Sequence, residues 1–181
     1  MLSGVSRLTR LELSGFERYD VQVLSGKTRL QHLALPCRMV SAGAGVVQLL
    51  SLLQHMQQLT HLDMRRTWVD FGGENPPAAA FAALTASSKL QHLNISGCKV
   101  TAGAWQHIFP AGGQLPQLRS LDVFLVLDTL GGYAVAPEGS RLVGCCPGLR
   151  SLKAGNLGGS SELFDFLRYP VRGLRGLHVE I

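Results

Sequence analysis

Charge is scarce in this 181-residue chain: 16% of its residues are Asp, Glu, Lys or Arg, and the formal excess is +5. Such an excess attracts acidic partners at long range, but with no Lys/Arg block and no aromatic-basic motif it makes nucleic acid an unfavoured partner. Long apolar runs are missing too. The longest fall far short of the ~20 residues a membrane span requires, and Met1 to Leu13 carries charges where a secretory leader has its apolar core. No two cysteines have C-x-x-C spacing. Cys37, Cys98, Cys145 and Cys146 read as reduced thiols, the last two being adjacent and poorly placed to bridge each other. The stretch LSGKT, Leu24 to Thr28, lacks the first glycine and the spacing of a phosphate loop. No Ser-His-Asp or Cys-His set sits on a Gly-rich elbow, and Glu12, Asp63 and Asp122 are too dispersed to act as an acid/base dyad. The expectation is a soluble, cytoplasmic, non-enzymatic protein with no cofactor, no metal and no membrane partner.

What the chain has instead is repetition. The central stretch LQHLNISGCKV, Leu90 to Val100, places Leu90, Leu93 and Ile95 at positions 1, 4 and 6, and Cys98 and Val100 at positions 9 and 11. Between them His92, Asn94 and Ser96 fall at 3, 5 and 7. Because side chains alternate across a strand, the apolar set points inward and the polar set outward. Gly97 permits the turn that follows, and Cys98 is small enough to be buried beneath it. Partial copies begin at Leu8, Leu30, Leu59, Leu118, Leu149 and Leu174, at a mean spacing of about 28 residues, enough for a strand and a helix in each unit. Position 9 is irregular: Phe16, Arg38, Thr67, Val126 and Leu157 depart from Asn or Cys.

The spacing L-x-x-L-x-L-x-x-(N/C)-x-L resembles the leucine-rich repeat family over nearly the whole chain. The resemblance implies one α/β domain over residues 1–181, a curved solenoid of about seven units with parallel strands on its concave face and short helices on its convex face. GCKV in the central copy and CCPGLRSL in the sixth are similar to the cysteine-containing and ribonuclease-inhibitor-like branches, which include substrate-recognition arms of F-box ubiquitin ligases; no F-box helical segment precedes Leu8. The Ala, Gly and Gln bias is similar to green-algal repeat proteins, some of them ciliary, which makes a cytoskeletal or axonemal scaffold a further alternative. Leu8 and Ile181 lie in or beside repeat strands, so terminal caps are expected to be absent, with a fragment or end-to-end self-association as the consequence.

Between the strands, Val46 to Gln58 carries Val46, Leu49, Leu50, Leu53 and Met56 on one stripe, the clearest helix of the chain. Further helices are expected over Pro77 to Ser88, Thr101 to Phe109, Glu138 to Cys146 and Glu162 to Arg168. Phe16 to Thr28 reads as a degraded, loop-like unit, and Phe124 to Leu127 as a longer strand or a local insertion.

Stacking the copies suggests where a partner would bind. His32, His61 and His92 fall in one outward column on neighbouring strands, roughly 5 Å apart. Three imidazoles suit zinc ligation or a pH-sensitive patch; a flat ladder does not converge its nitrogens within ~2 Å of one ion, and polar filler on a solvated face is the simpler reading. A position-2 column runs Thr9, Gln31, Thr60, Gln91, Arg119, Arg150, Arg175, with Lys153 and His178 beside it at position 5. The expected function is reversible binding of a protein partner, acidic in part, on the concave face. Its anchors would be Arg119, Arg150, Arg175 and Phe124, with Lys153, His178, His92 and His61 around them.

Overall fold

The computed structural model of the chain describes residues 7–13, 21–35, 44–67, 75–128, 139–155 and 177–180. Short alternating stretches form the strands, and their inward leucines meet edge to edge. β1 (Arg10–Glu12), β2 (His32–Ala34), β3 (His61–Asp63), β4 (His92–Asn94), β6 (Ser120–Asp122), β8 (Ser151–Lys153) and β9 (His178–Glu180) build a seven-stranded, all-parallel sheet in chain order. β5 (Lys99–Val100) and β7 (Leu127–Asp128) pair beside it as a second, two-stranded sheet. Each strand of the larger sheet therefore pairs with the strands of the units before and after its own. The register sets Leu11, Leu33, Leu62, Leu93, Leu121, Leu152 and Val179 in one row, and the five from Leu33 to Leu152 are buried.

One register differs from the sequence expectation. The copy starting at Leu174 would set Gly176 opposite Ser151, whereas Ser151 pairs with His178 and Lys153 with Glu180. The last unit is displaced by two residues. Strand side chains have a period of two, so such a slip leaves His178 and Glu180 outward and Val179 inward, and the apolar pattern alone does not detect it.

The turns that end β3, β4 and β6 rest on two devices. The first is a side-chain acceptor at position 5: Asp63 Oδ1 accepts from the Arg65 N–H at 3.1 Å, Asn94 Oδ1 from Ser96 at 3.0 Å, and Asp122 Oδ1 from Phe124 at 3.1 Å. Asp and Asn suit this because their short side chains reach the backbone two residues on. The second is a left-handed residue at position 8, with φ of 55° at Arg66, 67° at Gly97 and 56° at Leu125. That conformation aims each position-8 N–H at the next unit: Arg66 donates to Ser96 O, Gly97 to Phe124 O and Leu125 to Gly155 O. Phe124 and Leu125 are thus the turn, and β7 follows it, in place of a longer strand.

Glycine meets the position-8 requirement without steric cost, while an L side chain there costs about 1–2 kcal/mol. A Cβ on Gly97 would also lie 2.9 Å from Arg66 Cγ. Gly97→Ala should therefore lower stability by about 1–2 kcal/mol. Arg66→Gly, which relieves the strain but adds freedom to the unfolded chain, should raise it by about 0.5–1 kcal/mol. Paired urea titrations at constant m-value measure both.

Position 9 also proves more regular than the residue types suggest. Thr67 is fully buried and its hydroxyl donates to Leu35 O at 2.5 Å, as Cys98 Sγ donates to Met64 O at 2.9 Å. Both acceptors are position-6 carbonyls of the preceding unit. Both side chains are small buried donors, and threonine fills this role as well as cysteine. Val126, also at position 9, is buried without a donor. A further buried row precedes the strands: Lys27, Met56, Ser87, Leu115 and Cys146 each accept, through the backbone carbonyl, the N–H of the position-1 leucine three residues on. Cys146 is thereby a turn residue, and burial, helped by Cys145 beside it, pushes its thiol up to about 12.

The helical segments are shorter than their apolar stretches. The first connection holds a 3-10 turn, η1 (Val21–Leu24), where a loop was expected. α1 (Ala44–Leu53) starts two residues before the expected Val46 and stops before Gln58, because Gln54 to Gln58 forms the turns leading into β3. The alanine-rich segment is a 3-10 helix, η2 (Ala78–Thr85), and α2 (Trp105–Ile108) and α3 (Gly139–Cys145) follow. η1, α1, η2 and α2 pack side by side in chain order. Val46, Leu49, Leu50, Leu53, Phe81, Leu84, Ile108 and Phe109 are buried in the same core as the strand leucines. The expected helix over Glu162 to Arg168 lies outside the described residues.

Candidate interaction face

The polar rows of the sheet share its outward side. Position 3 runs Arg10, His32, His61, His92, Ser120, Ser151, His178, and position 5 runs Glu12, Ala34, Asp63, Asn94, Asp122, Lys153, Glu180. Their middle members line a depression of about 280 Å³, floored by Leu62 and Leu93 and walled by the histidines, Asp63, Ser120 and Asp122.

The three histidines meet as stacked rings rather than as a chelate. His32 and His61 have ring centroids 5.3 Å apart, tilted by 32°, and His61 and His92 lie 4.3 Å apart at 19°. Thr60 Oγ1 donates to Gln31 O at 2.9 Å, and with its single proton used there it accepts from His61 Nδ1 at 2.9 Å. Burial first, then nearby positive groups, lowers the pKa of both His32 and His61. Among the described residues no three His, Cys, Asp or Glu side chains converge as metal ligands.

At the other end of the face Phe124, Lys153 and Glu180 form a cluster. Lys153 Nζ stands 5.6 Å from the Phe124 ring centroid and donates to Glu180 Oε1 at 2.5 Å, a bond that raises the lysine pKa. Asp122 is half-buried between the two groups. Burial raises its carboxyl, the N–H of Phe124 and the charge of Lys153 oppose that shift, and among the described residues it forms no ion pair. Asp63, by contrast, is held by Arg65 at 2.6 Å.

The arginine column does not survive. Leu177, not Arg175, takes the place next to Arg150, because His178 is aligned with Ser151 and its N–H bonds to Arg150 O; Arg175 itself lies outside the described residues. His178 consequently stands in the position-3 row instead of beside Lys153 at position 5. Arg119 is half-buried, and its Nη1 donates to Gly148 O at 2.9 Å, across the turn that leads into β8. It braces that turn and is not a free anchor. Arg150 remains exposed. The sequence pattern thus located Phe124, Lys153, His61 and His92 on one side of the sheet, but it missed Asp122 as a depression-lining group, for which the signal was its place two residues after Ser120 on the same outward face.

No helix among the described residues is long and apolar enough to cross a membrane. Compared with known proteins, the chain matches no family model and no curated sequence.

Proposed function

We propose that the chain is a leucine-rich-repeat solenoid that binds a protein partner reversibly across the outward face of its parallel sheet. The observation that carries this reading is the in-register outward face itself. Five adjacent strands, β2 to β4, β6 and β8, present rows of ordered polar and aromatic side chains around a shared depression. A surface of this kind suits a macromolecule, with a few anchors contributing most of the affinity. Phe124 under Lys153, the His61–His92 stack and the exposed Arg150 are those anchors, and a partner segment combining an apolar side chain with acidic groups complements them.

Capture from a lysate with wild-type and variant chains tests the assignment. Ser120→Arg puts a large charged side chain at the depression, where only a small outward hydroxyl stands, and Val47→Lys changes the opposite, helical side, where Val47 is 39% exposed. Proteins recovered with the wild type and with Val47→Lys should drop at least roughly tenfold with Ser120→Arg, a loss of about 1.4 kcal/mol or more. Equal recovery with Ser120→Arg, both variants being folded, would refute the face as the binding surface.

A further inference from the structure

We infer that His32, His61 and His92 act as one proton-responsive element of the sheet: as neutral rings they stack across β2, β3 and β4, and as imidazolium ions they place like charges at separations of 5.3 and 4.3 Å and open the stack. The inference concerns the free chain and holds whether or not a partner occupies this face.

Geometry provides the coupling. The register fixes His32 opposite His61 and His61 opposite His92, so no ring can leave its neighbours without a rotamer change. The charged groups around the ladder do not neutralise it. From β1, Arg10 adds positive charge, and Glu12 is engaged by Arg10 at 3.3 Å. Within β3, Asp63 is engaged by Arg65. From β6, Ser120 faces His92 in the register, and Asp122 stands beyond it, aligned with Asn94. Thr60 holds His61 Nδ1, so the incoming proton goes to the opposite nitrogen, Nε2.

The linkage has a definite sign. The pKa values of His32 and His61 are lowered on folding, by burial above all, so their neutral forms favour the folded chain. That contribution is complete above the unfolded value of 6.5 and is lost as the pH falls through the lowered folded values. Mild acid therefore loosens the middle of the outward face while the inward leucines stay packed.

Titration of the histidine ring resonances of the full chain by NMR tests this directly. His32 and His61 should titrate below 6.5, and His92→Gln, which removes one positive neighbour of both, should move both midpoints upward. His107→Gln, on α2, should leave them in place. The drop in melting temperature between about pH 7.5 and pH 5 should shrink when all three ladder histidines are replaced by Gln. Midpoints at 6.5 or above for His32 and His61 in the wild type would overturn the inference, as would midpoints indifferent to His92→Gln in a variant whose amide spectrum is native.

Discussion

Leu93→Asp should destabilise the protein by about 3–5 kcal/mol, and His92→Ala, one residue away, by less than about 1 kcal/mol. Leu93 is 1% exposed and sits in the leucine row between Leu62 and Leu121. A carboxylate there would be surrounded by buried leucines of the neighbouring strands. It must either remain charged in an apolar medium or take up a proton, and each course costs several kcal/mol, to which the lost leucine packing adds. His92 is exposed on the other side of the same strand. Its removal forfeits one stacked contact with His61, worth roughly 0.5–1 kcal/mol at most in a solvated setting. Because the penalty for Asp depends on its ionisation, the gap between the variants should narrow in acid. Chemical denaturation at pH 7.5 measures the difference; equal shifts would show that the two faces are misassigned.

Phe81→Ala should cost about 3–5 kcal/mol, the range for truncating a buried aromatic ring without collapse of the site. Phe81 is fully buried, and the segment around it, PAAAFAALT, offers mostly methyl groups that cannot fill the space left behind. η2 packs against both α1 and α2, so the cavity would open between three helical segments of one continuous core. Phe81→Leu keeps most of the volume and should cost less than about 2 kcal/mol. A Phe81→Ala loss below 1 kcal/mol in urea denaturation would mean that η2 lies outside the cooperative unit.

The contrast between these residues shows what sequence makes legible. The inward row was readable because period-2 alternation and the Leu-x-x-Leu spacing report the same constraint, the removal of one strand face from water. The connections were not, because an apolar stripe reports burial without distinguishing a 3-10 turn from an α-helix; the alanines of η2 satisfy either. The turn chemistry was half visible. Gly97 announced the left-handed position, but Arg66 and Leu125 occupy the same conformation at a cost that sequence does not display. Thr67 was missed as a position-9 donor because the pattern names Asn and Cys, whereas a threonine hydroxyl reaches the same buried carbonyl position. In the site, the arginine column failed for two reasons: a two-residue slip preserves the faces of the last strand, and a long side chain such as Arg119 can turn back to a neighbouring carbonyl.

The claim that the outward face is the working surface is tested most directly by modifying histidines with diethyl pyrocarbonate, with and without the captured partner. The chain provides its own internal comparison, since His61 and His92 lie on the outward rows while His107 lies on α2. The partner should protect His61 and His92, with residue-resolved modification falling severalfold, and leave His107 as reactive as in the free chain. Protection of His107 with unchanged reaction at His61 and His92 would contradict the account.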